Sequence, residues 1–344
     1  MITPATTVVD EPTTFWFDQK PYEPANHKKE YNGTVTLRYA LAHSLNVPAV
    51  KVAEMTGFDK VAETARAAGL NVDIKPTPSI ALGAYEVTPL EIAGAYTVFV
   101  NSGQLLHTTF IKSIRDQKRN IIFESRPDPK PAIDPRVAYL VENMMEEVLR
   151  SGTGAGVRSR GFVLPAAGKT GTSRDGWFAG FTSKLICVVW VGFDDNRDFK
   201  LEGARSALPI WADFMKRAHQ HREYRNVHEI EPPEGIVTAE IDAETGQLAT
   251  ASCPKVRSEV FIAGTQPVEV CRLHGAGRTQ IAGWEPTRPA APPSQITESP
   301  PVVAGMPATD HKAVRSIPVT PAEPAQPEKK KHKGFFGRIR DIFK

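Results

Sequence analysis

The segment from Ala167 to Val191 constrains the fold most, because short apolar runs alternate there with turn residues. The apolar runs are Trp177-Phe178-Ala179-Gly180-Phe181 and Leu185-Ile186-Cys187-Val188-Val189-Trp190-Val191. Arg174-Asp175-Gly176 and Thr182-Ser183-Lys184 fit the turns before each run, and Asp-Gly is a strong hairpin signal. We therefore predict an antiparallel three-stranded meander that begins with Gly168-Lys169-Thr170-Gly171-Thr172.

The first predicted strand concentrates groups that suit an anionic ligand. Lys169 supplies a point charge, while Thr170 and Thr172 place two hydroxyls on one face of an extended segment. Gly171 leaves the backbone open to close approach. Such a strand suits an extended peptide ending in a carboxylate, which pairs with the main chain and is held at its anionic end. The alternative is a solvated lysine beside a turn.

The same residues also resemble the end of a phosphate-binding loop. That loop requires a glycine five residues before Gly168, where this chain has Val163, and a helix after it. The residues that follow Lys169 are strand-like instead. A nucleotide-binding protein is therefore disfavoured.

Composition indicates a globular chain without a membrane span of its own. Of 344 residues, 41% are hydrophobic, which is enough for one large core or two smaller ones. The longest apolar run, Leu185 to Val191, is far shorter than a membrane span, and no signal segment opens the chain. The net charge of +3 comes from residues 329 to 344, which hold seven Lys and Arg against one Asp. The rest of the chain is net negative, so charge gives no argument for nucleic-acid binding.

Ser44 and Asn46 lie at a predicted junction between two helices. Apolar spacing predicts a helix from Thr36 towards Ser44, and Pro48 predicts a break before a second helix begins after it. Side chains at such a junction can point into a cleft, or they can cap helix ends.

Three further helices are predicted along the chain. Thr88-Pro89-Leu90-Glu91 is a helix start with a capping hydroxyl and a glutamate three residues on. Asp134-Pro135 opens a helix whose apolar stripe we interpret as core packing, not as a cofactor site. Gly152-Thr153-Gly154 follows that helix and is flexible enough to shape a cleft wall. It is not a phosphate cradle, because the helix precedes it. Pro209 to His221 predicts a last amphipathic helix.

Together these segments resemble the transpeptidase domain of class A penicillin-binding proteins, the bifunctional peptidoglycan synthases. That family's three signatures are Ser-x-x-Lys, a Ser-x-Asn type triplet and Lys-Thr-Gly. The resemblance covers residues 1 to 220 and implies an α/β (α+β) penicillin-binding/β-lactamase-like fold, with an antiparallel sheet flanked by helices and no cofactor or metal. The matching segments, in the family's order, are Arg38 to Val50, Ala81 to Glu91, Gly152-Thr153-Gly154, Gly168-Lys169-Thr170-Gly171-Thr172 and Asp175-Gly176-Trp177-Phe178.

The resemblance implies acyl transfer through a serine. In the family, the serine of Ser-x-x-Lys attacks the penultimate D-Ala carbonyl of a peptidoglycan stem peptide and forms an acyl-enzyme. The amine of a neighbouring stem peptide resolves it into a cross-link, or water hydrolyses it. β-Lactams block the site by mimicking D-Ala-D-Ala. The implied partners are therefore stem peptides and β-lactams, and the implied location is the periplasmic, extracytoplasmic face of the cytoplasmic membrane.

By position, the resemblance also implies residue roles. Ser44 would join the proton-transfer network, Asn46 would hold a substrate amide, and Lys169 would supply a positive field. Thr170 and Thr172 would bind the terminal carboxylate, and the backbone N–H of Thr172 would contribute to the oxyanion hole. The other implied substrate-binding residues are Gly152, Thr153, Gly154, Gly171 and Trp177.

The sequence departs from the family at the nucleophile. Its only Ser-x-x-Lys string is Ser252-Cys253-Pro254-Lys255, which follows the Lys-Thr-Gly segment and contains a helix-disrupting proline. Thr3-Pro4-Ala5-Thr6 resembles the segment after the family's nucleophile helix. We therefore expect the nucleophile, and farther back a glycosyltransferase domain with a membrane anchor, upstream of Met1. We expect the isolated chain not to be acylated. The alternative is a catalytically inactive stem-peptide-binding module.

Four regions are predicted: a transpeptidase domain over 1–221, a small β-rich extension over 222–285, a disordered Pro-rich linker over 286–333 and a basic amphipathic helix over 334–344. In the extension, residues 235–241 and 246–250 predict a hairpin, and residues 260–262 predict another strand. Cys253, Cys271 and His274 are three residues, which do not close a structural zinc site, and a Cys253–Cys271 disulfide stays open for a periplasmic chain. Cys187 lies in an apolar strand and is predicted to be buried and inert.

The last part of the chain is predicted to lack a packed core. Residues 286 to 327 contain eleven of the 29 prolines, and no aromatic residue occurs between Trp284 and Phe335. At the end, an apolar helical face predicts contact with a membrane surface, and a solvated basic tail is the alternative. That face consists of Phe335, Phe336, Ile339, Ile342 and Phe343.

Overall fold

The computed structural model describes residues 1–70 and 73–274. The predicted linker 286–333, the predicted helix 334–344 and the last part of the extension lie outside the described residues. The helices are α1 (Leu37–Ala42), α2 (Asn46–Thr56), α3 (Phe58–Ala67), α4 (Pro89–Val100), α5 (Pro135–Arg150), α6 (Gly156–Ser159) and α7 (Ala207–Ala218). The strands are β1 (Thr7–Asp10), β2 (Phe15–Phe17), β3 (Lys20–Tyr22), β4 (Gly33–Thr36), β5 (Gln104–Leu105), β6 (Ser113–Arg115), β7 (Ile121–Glu124), β8 (Lys130–Pro131), β9 (Ala167–Thr172), β10 (Gly176–Phe181), β11 (Ile186–Val191), β12 (Ile236–Asp242) and β13 (Val256–Ile262).

The central sheet is the meander that the turn signals predict. Its strand order is β11-β10-β9, and both pairings are antiparallel. Lys169 on β9 pairs with Ala179 on β10, and Phe178 on β10 pairs with Val189 on β11. The predicted antiparallel meander is therefore confirmed. Strand β9, which carries Lys-Thr-Gly, is the end strand of this sheet.

Helices cover both faces of this sheet, because β10 is apolar on both sides. Phe178 packs against Trp211 of α7, with ring centroids 4.9 Å apart. Phe181, three residues farther on, points to the opposite face and stacks on Phe99 of α4 at 6.4 Å. Phe178, Phe181 and Trp211 are at most 1% exposed. The mixed fold with an antiparallel sheet between helices is therefore as predicted.

The first 36 residues contain short strands that the sequence does not reveal. β1 pairs with β4, and β2 pairs with β3, each antiparallel. Runs of three or four residues are too short to show a period of two clearly. The buried carboxylate of Asp10 holds the segment together, since it accepts hydrogen bonds from the side chains of Asn26 (2.7 Å) and Asn32 (2.9 Å).

Helix α2 begins at Asn46, so the predicted break immediately before Pro48 is misplaced. Pro48 lies in the first turn, where a backbone N–H has no acceptor within the helix and its loss costs little. The N–H groups of Asn46 and Val47 donate instead to the side-chain oxygen of Asn26, at 2.9 and 3.2 Å. A residue twenty positions away in sequence therefore caps this helix.

The main hairpin of the extension joins β12 to β13 in the register Ile236↔Ile262. The predicted hairpin around residues 242–245 also forms, as a short antiparallel bridge between Ile241 and Leu248. Beside this bridge, the N–H of Ala249 donates to the carbonyl oxygen of Glu240 at 2.9 Å. Burial of Ile241 and Phe261 against Ala5 accompanies the longer pairing with β13.

Strand β13 attaches the extension to the helical part through buried charges. Arg38 of α1 donates to Glu259 of β13 at 2.6 Å and to the backbone and side-chain oxygens of Asn143 of α5, both at 2.8 Å. The side chains of Arg38 and Glu259 are only 4% and 1% exposed. Arg257 of β13 also pairs with Glu147 of α5. No helix in the described ranges is long and apolar enough to cross a membrane.

Candidate functional site

Ser44 and Lys169, which lie 125 residues apart in sequence, are in direct contact in the structure. Ser44 sits between α1 and α2 with φ +57°, in the left-handed region that non-glycine residues rarely adopt. Lys169 donates from Nζ to Ser44 Oγ at 2.7 Å and to the carbonyl oxygen of Thr170 at 2.9 Å. The fold therefore brings the two predicted motifs to one place.

Among the residues that the structure describes, the ammonium of Lys169 donates hydrogen bonds to neutral oxygens only. Burial lowers the pKa of Lys169 to about 8. At neutral pH most molecules thus still carry the charge. A partly desolvated cation of this kind favours an anionic ligand.

The two threonine hydroxyls of β9 are each held by the protein. The Oγ1 atoms of Thr153 and Thr170 lie 2.6 Å apart, and either can be the donor. Thr172 Oγ1 accepts from the backbone N–H of Gly203 at 3.0 Å. A hydroxyl that accepts one hydrogen bond can still donate its own proton. Thr172 therefore keeps a proton to donate to a carboxylate, and Thr170 does so when Thr153 is the donor of their shared hydrogen bond.

The glycine segment 152–154 owes its composition to tight packing. A Cβ on Gly152 would lie 2.1 Å from the carbonyl oxygen of Ala42 at the end of α1. The N–H of Thr153 donates to that same oxygen at 3.0 Å, and the N–H of Gly154 donates to Val148 at 2.9 Å. This close approach places Thr153 beside Thr170. Close packing therefore explains the glycine at position 152, whereas the sequence suggested flexibility as its reason.

Gly171 and Trp177 are directly paired across β9 and β10. A Cβ on Gly171 would lie 3.0 Å from Trp177 Cβ, so the glycine makes room for the indole on the neighbouring strand. The sequence suggested room for a ligand instead. Trp177 is half-buried and lies 6.3 Å from the ring of Trp190. Gly171 and Trp177 therefore shape the sheet beside Lys169.

Asn46 is oriented by residues that the sequence gave no reason to select. Its side-chain nitrogen donates to the carbonyl oxygen of Ala25 at 2.7 Å, and its backbone N–H donates to Asn26. Asn26 is itself buried and donates to Asp10 at 2.7 Å. Asp10 and Asn26 are far from Asn46 in sequence and match no motif, so only the fold reveals this support.

The string Ser252-Cys253-Pro254-Lys255 lies in turns between β12 and β13, not on a helix. It therefore does not place a serine and a lysine on one helical face, and this agrees with the expectation from its proline.

Burial raises the pKa of Cys187 to about 12, which fits its predicted inertness. Cys187, Cys253 and Cys271 are all free thiols in the structure, so the disulfide that the sequence left open is not formed.

Family comparison agrees with this geometry. Residues 1–216 match the penicillin binding protein transpeptidase domain. The chain belongs to this family. Residues 232–276 match the C-terminal domain of penicillin-binding protein 1A. The resemblance inferred from the motifs is therefore confirmed, and the chain is homologous to class A penicillin-binding proteins.

Among curated relatives, penicillin-binding protein 1A of Aquifex aeolicus is 38% identical over 255 residues, covering 72% of this chain and 34% of the relative. Penicillin-binding protein 1B of Vibrio cholerae is 36% identical over 241 residues, covering 68% and 30%. This transpeptidase-family chain thus spans about a third of the length of these relatives.

Solved structures show the same fold. Penicillin-binding protein 1A from Haemophilus influenzae superposes with a TM-score of 0.72 at 28% identity, over 78% of this chain and 46% of that one. The PonA1 protein of Mycobacterium tuberculosis, solved in complex with penicillin V, superposes with a TM-score of 0.57 at 22% identity, over 67% and 66%. The second likeness concerns the fold alone.

Proposed function

We propose that this chain provides the substrate-binding part of a D,D-transpeptidase that cross-links peptidoglycan stem peptides. The observation that carries the proposal is the Lys169–Ser44 contact of 2.7 Å, which joins the Ser-x-Asn and Lys-Thr-Gly motifs in one cleft. The cation there has no carboxylate partner among the described residues, so a ligand carboxylate supplies the missing charge.

The proposed ligand is the D-alanyl end of a stem peptide, lying along β9. As the end strand of its sheet, β9 has backbone groups available to an extended peptide. Thr170 and Thr172 donate to the terminal carboxylate, Lys169 supplies the field, and Asn46 holds a substrate amide. The backbone N–H of Thr172 stabilises the oxyanion. The cleft wall at 152–154 and Trp177 border the bound peptide.

The covalent step requires the serine of a helical Ser-x-x-Lys motif, and the only string of that form in this sequence, Ser252-Cys253-Pro254-Lys255, is not helical. In that step, the serine oxygen bonds to the penultimate D-Ala carbonyl carbon, and the terminal D-Ala leaves as the amine. A stem-peptide amine then takes the acyl group and frees the serine. Ser44 lies beside the cleft lysine and is proposed to pass protons rather than to attack. We therefore propose that residues 1–344 by themselves bind stem peptides and β-lactams without being acylated.

The proposed partners are stem peptides and β-lactams, whose carboxylate and amide match the same groups. The proposed location is the periplasmic face of the cytoplasmic membrane, where peptidoglycan is built. The predicted membrane-surface contact of the final helix lies outside the described residues. Vesicle co-sedimentation of the chain with and without residues 329–344 tests it, and equal sedimentation of the two would reject it.

Calorimetric titration of the full chain with a peptide ending in D-Ala-D-Ala tests the binding function. The matched ligand has the same peptide with an amidated C-terminus. We expect Lys169→Met to weaken binding of the acid about tenfold to a hundredfold, the usual range for a hydrogen bond to a charged group. Lys184→Met, an exposed lysine in the turn after β10, serves as the control and should bind as the wild type does.

Equal affinity for acid and amide, or an unchanged Kd in Lys169→Met, would contradict the proposal. Labelled penicillin tests the second part on the same protein. We expect reversible binding without a covalent adduct, since loss of the nucleophile in a serine hydrolase costs on the order of 10⁶ in turnover. A stable adduct would show that the chain contains its own nucleophile.

A further inference from the structure

Four metal-ligating side chains converge beyond the end of the β12–β13 hairpin at which residues 243–255 connect the two strands. They are Asp242, Cys253, Cys271 and His274, and one ligand atom from each lies within 4.8 Å of the others. Asp242 ends β12, Cys253 lies in the turns before β13, and the other two follow β13. The sequence showed only the cysteines and the histidine, because nothing in the spacing of Asp242 relates it to them.

The spacing of these atoms suits a tetrahedral ion. Zinc bonds of about 2.0 Å to nitrogen or oxygen and about 2.3 Å to sulfur require ligand atoms roughly 3.3 to 3.8 Å apart. His274 Nδ1 lies 3.6 Å from Cys271 Sγ, which falls within this range. The same nitrogen lies 2.8 Å from Asp242 Oδ2, slightly closer than such an edge. The imidazole thus presents Nδ1 to both a sulfur and a carboxylate oxygen.

Backbone donors are aimed at both sulfurs. The N–H of Thr250 donates to Cys253 Sγ at 3.2 Å, and the N–H of His274 donates to Cys271 Sγ at 3.3 Å. Such donors stabilise the negative charge of a thiolate and are the usual support of metal-bound cysteine. The Thr250 hydroxyl also donates to the carbonyl oxygen of His274 at 3.2 Å, which ties the segments of the two sulfurs together.

The carboxylate of Asp242 is oriented in the same way. Its Oδ1 accepts from the N–H groups of Glu244 and Thr245, at 3.0 and 2.9 Å. Oδ2 is therefore the oxygen directed at His274. Asp242 and Cys271 are fully buried. A buried carboxylate next to two thiols is costly unless a cation or a proton neutralises it.

We propose that Asp242, Cys253, Cys271 and His274 bind one zinc ion. Two thiolates, an imidazole and a carboxylate form a closed four-ligand set, which is typical of structural rather than catalytic zinc. A Cys253–Cys271 disulfide would occupy the sulfurs and leave Asp242 and His274 as an ion pair at 2.8 Å, whereas one zinc ion accounts for the convergence of all four side chains. The proposal revises the expectation of no metal and is independent of the cleft. The ion would fix the loop end of the β12–β13 hairpin, and this hairpin docks on α1 and α5.

The test measures zinc on the reduced full chain. The protein is treated with a reductant and a chelator, dialysed, given zinc and dialysed again, and its zinc content is measured by mass spectrometry. We expect one zinc per chain in the wild type and in Cys187→Ser, and none in Cys271→Ser. Thr250→Val removes the hydroxyl support and keeps the backbone N–H, and it should weaken zinc binding about tenfold or more, measured by competition with a chromophoric chelator.

A second measurement keeps the test valid if Cys271→Ser does not fold. On the wild type, a thiol reagent should modify Cys253 and Cys271 slowly with zinc bound and quickly after chelation, whereas the rate for Cys187 stays the same. Cobalt in place of zinc should produce a thiolate charge-transfer band. Reduced wild type that takes up no zinc, or zinc uptake that Cys271→Ser leaves unchanged, would overturn the proposal. A disulfide that persists under the reductant would overturn it as well.

Discussion

Helices α1 and α5 each contribute to two polar regions that differ in how a cation is neutralised. Beside β13, Arg38 meets the carboxylate of Glu259 and the oxygens of Asn143, and the two charged side chains are 4% and 1% exposed. At the ends of the same helices, Lys169 meets a hydroxyl and a carbonyl. In the first region the protein itself supplies the anion, whereas we propose that a ligand supplies it in the second.

This difference separates a structural cation from a ligand-binding one within a single domain. A buried ion pair contributes little net stability over an apolar pair, but removing one partner is costly. A cation without a protein carboxylate should behave in the opposite way, since its removal costs ligand affinity and little stability. The following substitutions test that contrast.

The largest effect is expected in the first region. Arg38→Met leaves Glu259 buried with only the longer contact to Arg257 Nε, at 3.8 Å, and should lower the free energy of unfolding by about 3–5 kcal/mol. Urea denaturation of the full chain measures this loss. The double variant Arg38→Met/Glu259→Met should recover most of it, and a double variant as unstable as the single one would show that the arginine acts through packing.

Gly152→Ala should have the next largest effect, because it disturbs the support of the cleft. Its Cβ would lie 2.1 Å from the carbonyl oxygen of Ala42, so the backbone must move. We expect a loss of about 1–3 kcal/mol in unfolding free energy and weaker peptide binding. Gly94→Ala in α4 is the control, since its Cβ would meet nothing closer than 3.9 Å. If both variants unfold alike, the close approach is not what requires the glycine.

A smaller effect is expected at the carboxylate site itself. Thr172→Val removes a hydroxyl that accepts from Gly203 and is proposed to donate to the ligand. Affinity for the D-Ala-D-Ala peptide should fall about tenfold, which corresponds to one hydrogen bond. Thr172→Ser keeps the hydroxyl and should restore affinity, as titration calorimetry can show. Equal affinities of Val and Ser variants would place the carboxylate elsewhere.

The smallest effect is expected from pH. Burial holds the pKa of Lys169 at about 8, below its usual value. The charged form therefore dominates below pH 8 and is lost as pH rises above it, so peptide affinity should decline from pH 7 to pH 9. The amidated peptide and Lys169→Met should show no such decline. A decline that persists in Lys169→Met would assign the titration to another group.

Local patterns predicted the parts of the fold whose cause is local. The meander follows from Asp175-Gly176 and alternating apolar runs, and α4 begins at the predicted capping box of Thr88 and Glu91. Pairings between distant segments were not predictable in this way. The predicted hairpin around residues 242–245 forms only as a short bridge, and the longer partner of β12 is β13, whose Phe261 is buried with Ile241 in the assembled core.

The sequence by itself determined the chemistry of this protein: the Lys-Thr-Gly strand, the Ser-x-Asn junction and the family to which they belong. Each of these is written in a few consecutive residues. Tertiary structure decided which groups meet: Lys169 with Ser44, Asn26 with the start of α2, and Asp242 with the two cysteines. Those contacts join residues from 11 positions apart, for Asp242 and Cys253, to 125 positions apart, for Ser44 and Lys169, and their energy exists only once the core has brought the segments together.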